Sequence, residues 1–197
     1  MIERVCVFCG SSDKVSPAYV QVAVDMGRAI ARRGLSLVYG GGGTGLMGAL
    51  ADGALAEGGH VIGVLPRLFD SPALRHAGLA ELRLVDSMHE RKAMMVEISH
   101  AFVALPGGFG TLEELFEVLT WAQIGLHQRP VGLLNAQAYF APLLEWMEHA
   151  AAEGFIYPEH RSLYVSANEP DALLDRLNGF ERPEGLERWM TRTEVDR

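Results

Sequence analysis

The stretch Leu105-Pro106-Gly107-Gly108-Phe109-Gly110-Thr111-Leu112-Glu113-Glu114 joins a short apolar run, Ala101 to Leu105, to a long apolar helical pattern, Leu112 to Ile124. It reads as a strand, a glycine turn and a helix start. Glycines at such a turn let the backbone take positive φ and let a ligand come close to the N–H groups. The first N–H groups of the helix have no internal partner and carry the positive end of its dipole. An anion is the natural occupant, phosphate above all. A purely structural reading stands beside this one. Thr111 and Glu114 have the spacing of a capping box, which needs no ligand.

The same strand–turn–helix grammar extends in both directions. Arg4 to Cys9 reads as a first strand, closed by Gly10-Ser11-Ser12, and Pro17 opens a helix to about Arg33. Leu35 to Tyr39 is a second strand, followed by the glycine run Gly40 to Gly48 and a small-residue helix to Glu57. His60 to Leu65 is a third strand, Pro66 to about Gly78 is irregular, and Leu82 to Val85 is a short strand. Ser87 and Glu90 form a second capping box, opening a helix from Met88 to about Ser99. Beyond the central motif come strand Val131 to Leu134, helix Tyr139 to Ala152, strand Leu163 to Val165 and helix Pro170 to Leu177. Continuous apolar strands alternating with helices predict a mostly parallel sheet covered on both faces. The expected architecture is α/β: one doubly wound, Rossmann-like domain over residues 1–180. A charged tail follows over 181–197, whose Trp189 and Met190 are expected to dock on the body or on a partner subunit.

Composition narrows the function. The 197 residues suit one domain with a sizeable core. No run of about 18 apolar residues is present, so no membrane span is expected. Met1 to Arg4 leads straight into strand-like sequence without a signal-peptide pattern, and a cytoplasmic protein is expected. The net charge of −8 argues against a general nucleic-acid or anionic-membrane surface. Cys6 and Cys9 form a C-x-x-C, but on a strand these positions face opposite ways about 10 Å apart, beyond disulfide reach. Both are expected to be buried strand thiols.

Gly43-x-Gly45-x-x-Gly48 matches the dinucleotide fingerprint between a strand and a helix. It follows the second strand rather than the first, and the next strand ends in Leu65-Pro66-Arg67 without an acidic residue for a ribose. Both features count against NAD(P). Gly-Lys-Ser/Thr is absent, so the run is no Walker P-loop, and neither a Gly-x-Ser-x-Gly elbow nor a His-x-x-x-His pair occurs. No metal is expected.

In a parallel sheet the C-terminal strand ends share the edge where ligands bind. The turns Gly10 to Ser12, Gly40 to Gly45 and Gly107 to Thr111 converge there, and the Ser87 helix brings Arg91 to the same edge. The crevice then holds anion-binding turns, a fixed cation and the carboxylate of Glu114. A carboxylate beside a phosphate cradle suits cleavage at the anomeric carbon of a phosphorylated sugar, whose transition state resembles an oxocarbenium ion.

Met88-His89-Glu90-Arg91-Lys92, the Pro106 to Glu114 motif and the Gly41 to Gly48 turn together resemble the LOG family. These are cytokinin riboside 5′-monophosphate phosphoribohydrolases, long labelled "lysine decarboxylase-like". The resemblance runs from Val7-Phe8-Cys9-Gly10-Ser11-Ser12 through Thr120-Trp121-Ala122-Gln123 to Glu153-Gly154-Phe155-Ile156. It implies hydrolysis of the N-glycosidic bond of an adenosine 5′-monophosphate, often N6-substituted, to free base and ribose 5-phosphate, with no cofactor. It maps the catalytic roles onto Arg91 and Glu114 and phosphate binding onto Gly107, Gly108, Phe109, Gly110 and Thr111. Ser12, Met88 and Lys92 are expected to line the site. Gly43, Thr44 and Glu113 complete the substrate-binding candidates. Some members carry an acidic residue in the loop corresponding to about Pro72 to Arg75; this chain has Ala73, so base recognition is where a deviation is expected.

The decarboxylase label can be weighed on residues. Pyridoxal phosphate needs a Schiff-base lysine, and the only lysines are Lys14 and Lys92. Lys92 adjoins Arg91 in the phosphate-rich crevice, which argues against that activity. The resemblance also implies a homodimer, and the helix Leu112 to Ile124, apolar over most of its circumference, agrees with burial on several sides. Two rival functions share these motifs: an AMP nucleosidase without cytokinin preference, and a non-catalytic module that binds AMP-like nucleotides.

Overall fold

A computed structural model describes residues 1–186. Its seven strands form one sheet in the order β4-β3-β2-β1-β5-β6-β7. They are β1 (Arg4–Phe8), β2 (Ser36–Tyr39), β3 (Val61–Pro66), β4 (Glu81–Val85), β5 (Ala101–Ala104), β6 (Val131–Leu134) and β7 (Tyr164–Ala167). Every neighbouring pair is parallel. The helices are α1 (Pro17–Arg32), α2 (Gly45–Ala56), α3 (Met88–Ile98), α4 (Phe109–Gln123), α5 (Ala141–Ala152) and α6 (Pro170–Asn178). No helix among the described residues is long and apolar enough to cross a membrane. Trp189 and Met190 lie outside the described residues.

Side chains alternate across the sheet, as the pleat requires. Val5 and Val7 of β1 join a core with Met26 and Ile30 of α1, Leu50 of α2 and Leu173 of α6. Cys6 and Phe8 point the other way, into a core with Met95 of α3, Leu115 and Val118 of α4, and Met147 of α5. Both faces are therefore covered, and the inner strands β3, β5 and β6 are apolar and buried throughout, while the edge strands β4 and β7 are only half-buried and carry polar residues. The strand order reverses between β1 and β5. β1 is followed in space by β2 on one side, and its other neighbour, β5, comes from the second half of the chain. A ligand crevice opens at such a switch point, beyond the C-terminal strand ends.

Three local expectations need correction. Strand β1 ends at Phe8, so Cys9 lies beyond it and is half-buried, while Cys6 is buried within the strand. Both thiols are free, and burial pushes both thiol pKa values up. The Thr111 capping box does not form. Helix α4 starts three residues earlier, with Gly108 as its N-cap and no side-chain cap hydrogen bond. Thr111 is thereby the third helical residue and is buried. At α3, Ser87 does cap the helix by accepting from the Glu90 N–H (3.1 Å), but Glu90 reaches back to the N–H of Asp86 (2.9 Å) rather than that of Ser87.

Candidate active site

Two cavities adjoin at the switch point, and Ser11 lines both. The larger, about 560 Å³, lies between the turn after β1 and the turn into α4. Its walls include Ser12, Tyr19, Gly107, Gly108, Phe109, Gly110, Thr111 and Tyr139. The Gly10 N–H donates to the Pro106 carbonyl (3.1 Å), locking the two turns together. Gly107 has no room for a side chain: a Cβ there would sit 2.6 Å from Thr111 Cβ and 2.9 Å from the Gly10 nitrogen. The uncapped N-terminus of α4 faces this cleft with its free N–H groups and the positive end of its dipole. That is an anion cradle.

The smaller cavity, about 330 Å³, is lined by Met47, Leu65, Pro66, Phe69, Leu74 and Met88, with Thr44 and Arg91 at its edge. One wall comes from the segment after β3 that carries no regular pattern. This segment is pinned over the glycine turn: the Gly43 N–H donates to the Leu74 carbonyl (2.8 Å) and the His76 N–H to the Gly41 carbonyl (3.0 Å).

Arg91 and Glu114 meet where α3 and α4 face each other. Arg91 Nη1 donates to Glu114 Oε1 at 2.7 Å, and Arg91 Nε to the Val64 carbonyl at 3.3 Å. Glu114 is only 7% exposed. Burial raises its carboxyl above the usual range, against the opposing pull of Arg91. Charges on Glu114 and Arg91 also act on the Cys9 thiol, which lines the larger cleft. Arg91 lines the smaller cavity, and Glu114, hydrogen-bonded to it, lies behind the wall and lines neither.

The other predicted site residues divide. Ser12 and Gly107 through Thr111 line the larger cleft, and Met88 lines the smaller one with Arg91. Lys92 and Glu113 reach neither. Lys92 Nζ instead pairs with Glu113 and with Glu117 Oε1 (2.8 Å), tying α3 to α4. Burial works against the Lys92 ammonium, but the two carboxylates outweigh it and raise its pKa. Gly43 spends its N–H on Leu74, and the Thr44 hydroxyl donates to the Ser11 carbonyl (3.0 Å).

The N-terminus of α2 is likewise occupied from within. Asp13 Oδ1 accepts the Gly45 N–H at 2.8 Å. The fingerprint glycines serve close backbone packing: a Cβ on Gly45 would lie 2.5 Å from the Ser11 carbonyl carbon, and one on Gly48 2.5 Å from the Gly43 oxygen. The dinucleotide match thus has a structural cause. Gly40 is a site residue that the pattern did not single out. A Cβ there would stand 2.5 Å from Met47 Cε and 3.1 Å from Arg91 Cζ, and closer still to Arg91 Nη2. Only a bare backbone lets Arg91 lie where it does.

The family model described as "Possible lysine decarboxylase" matches residues 47–177. The chain is 50% identical over 177 residues to the rice protein "Probable cytokinin riboside 5'-monophosphate phosphoribohydrolase LOGL9", covering 90% of this chain and 78% of that one. The chain belongs to the LOG family. A second LOG relative, "Cytokinin riboside 5'-monophosphate phosphoribohydrolase" of Rhodococcoides fascians, is 56% identical over 164 residues, 83% of each chain. Arabidopsis thaliana LOG3, of the same description, is 47% identical over 90% of this chain and 82% of its own. Among solved structures, the molybdenum cofactor carrier protein of Chlamydomonas reinhardtii superposes with a TM-score of 0.69 over 91% of this chain and all of its own, at 22% identity. The molybdenum cofactor binding protein of Rippkaea orientalis gives 0.68 at 19% identity, over 91% of this chain and 97% of its own. At that identity the likeness speaks for the fold alone.

Proposed function

We propose that the protein hydrolyses the N-glycosidic bond of cytokinin riboside 5′-monophosphates, and of AMP, releasing free base and ribose 5-phosphate. The Arg91–Glu114 pair, whose arginine walls an apolar cavity that adjoins an anion cradle at Ser11, carries this reading. The 5′-phosphate takes the α4 N-terminus. The ribose then lies near Ser11, where the cavities meet, and the base enters the apolar cavity among Leu65, Phe69, Leu74 and Met88. The side chains of that cavity are mainly apolar, so it selects by shape and apolar contact and has room for an N6 hydrocarbon substituent.

In the reaction the C1′–N9 bond breaks with its electron pair leaving on the base. Positive charge develops at C1′ and the ring oxygen, and an ionised Glu114 stabilises it. Water oxygen bonds to C1′, and the proton it sheds ends on the base nitrogen. A carboxyl raised by burial is suited to accept that proton in passing. Arg91 holds the carboxylate in place. The step needs no cofactor.

The reading takes the protein as a cytoplasmic homodimer without nucleic-acid or membrane partners. The free thiols fit a reducing compartment, and the exposed Trp146, Leu126 and Phe155 supply apolar surface for a second copy.

The test is release of base and ribose 5-phosphate from isopentenyladenosine monophosphate and from AMP, by wild type and by Glu114→Gln. Removing the charge is expected to lower kcat by about 10²- to 10³-fold while nucleotide binding persists. Binding of AMP without any base release by the wild type would leave a nucleotide sensor instead.

A further inference from the structure

Gln137 and Ala138 are the non-glycine residues with positive φ among the described residues, at 54° and 56°. Side chains in the left-handed region are disfavoured, and two in succession persist only where the surroundings fix them. Here the surroundings do so from both ends. The Asn135 N–H donates to the Ala167 carbonyl (2.8 Å), and Asn135 Oδ1 accepts the N–H of Phe140 (2.7 Å), whose ring is buried in the core. The four residues between are held in a tight turn at the C-terminal end of β6, left-handed at Gln137 and Ala138, on the edge that carries the site.

The outcome of that turn is the placement of Tyr139. Its hydroxyl donates to the Gly107 carbonyl at 2.6 Å. Its ring stands edge-on to Tyr19, with centroids 5.6 Å apart, and both rings wall the larger cleft. The two carbonyls leading into α4 are therefore each claimed by a donor: Pro106 by the Gly10 N–H and Gly107 by Tyr139. A bare carbonyl oxygen in an anion cradle repels the anion and leaves its peptide free to rotate. With its oxygen held, the trans peptide between Gly107 and Gly108 is fixed, and so is the direction of the Gly108 N–H.

We propose that Tyr139 is a positioning residue for the 5′-phosphate: its hydroxyl masks the Gly107 carbonyl and sets the cradle, while the chemistry proceeds without it. The proposal takes its ligand, a sugar 5-phosphate, from the function given above.

The test compares wild type, Tyr139→Phe and Tyr139→Leu. KM and kcat are measured for the nucleotide, and calorimetric dissociation constants for ribose 5-phosphate and for adenine. In Tyr139→Phe, KM and the ribose 5-phosphate constant are expected to rise together by about five- to tenfold, the effect of one charge-coupled hydrogen bond. The adenine constant and kcat stay within about twofold of wild type, since neither touches the masked carbonyl. If the ring alone mattered, as in a packing role, Tyr139→Phe would match wild type and only Tyr139→Leu would fail; that result overturns the proposal. So does a fall in kcat at constant KM, or an equal loss of affinity for both products. Absence of turnover in the wild type would sink the glycosidase reading, and the ribose 5-phosphate constants would still judge Tyr139.

Discussion

Gly40→Ala adds one methyl group and should abolish most activity while leaving the fold intact. Gly40 does not have positive φ, so alanine is compatible with its backbone. The added Cβ would lie 2.5 Å from Met47 Cε and 3.1 Å from Arg91 Cζ. Ordinary carbon contact needs about 3.5 Å, so these groups must retreat by roughly an ångström. Both are far ends of flexible side chains, so the retreat costs no more than an off-rotamer torsion, about 0.5–1.5 kcal/mol. The loss of glycine's freedom in the unfolded chain offsets about 0.4–1 kcal/mol of that. Stability should therefore change by less than about 1 kcal/mol. The site has no such slack. The Arg91–Glu114 bond is 2.7 Å long, and an ångström of displacement takes it beyond hydrogen-bonding range. Misplacement on that scale costs about 10²-fold in rate. The assay is base release from isopentenyladenosine monophosphate beside a thermal melt of the same sample. Wild-type turnover by a folded Gly40→Ala protein would refute the view that Arg91 must lie over a bare backbone.

Three further outcomes are expected. Ala138→Gly should raise stability by about 0.5–1 kcal/mol in a denaturant titration, because glycine removes the left-handed penalty but loosens the unfolded chain. Leu74→Ser should raise KM for isopentenyladenosine monophosphate by about five- to tenfold and for AMP by much less, since only the longer substrate presses apolar surface on that wall. The third concerns His127, whose Nδ1 accepts the Arg129 N–H (3.1 Å) while Nε2 faces the Val118 carbonyl (2.8 Å). Protonating Nδ1 would break the first bond, and burial holds the imidazole pKa below its ordinary value. The unfolded chain then binds the proton more readily than the folded one, so stability falls as pH drops below the ordinary imidazole value of about 6.5. Burial lowers His100 in the same sense. Melting temperature against pH should be flatter in His127→Gln than in wild type, and parallel curves would remove His127 from the effect.

Much of the architecture was legible because hydrophobic period and glycine punctuation agree along the whole chain. The parallel sheet, its two covers and the meeting of Arg91 with Glu114 at one edge follow from that agreement. The resemblance puts Lys92 in the site, and Glu113 stands beside Glu114 in the same motif. On a helix, however, the next residue points about 100° away, and here it points into the α3–α4 seam. Asp13 gives no signal in the sequence, because a lone carboxylate in a loop does not show which helix it caps. The apolar cavity arises from a segment that has no period to read. Tyr139 was invisible for a related reason: Asn135-Ala136-Gln137-Ala138 contains no glycine, and the turn is imposed by Asn135 and the buried Phe140 rather than by local preference.

The Asp13 carboxylate on the N-terminus of α2 also bears on competition among ligands. Of the helix starts beside the two cavities, those of α1 and α3 are capped by Ser16 and Ser87 and that of α2 already carries an anion supplied by the chain itself, while α4 has no side-chain cap. A dinucleotide with two linked phosphates would have to evict a tethered competitor whose effective concentration never dilutes. Pyrophosphate-bearing cofactors should therefore be poor inhibitors even in large excess over a monophosphate substrate. The protein keeps the glycine signature of a dinucleotide site and withholds the socket.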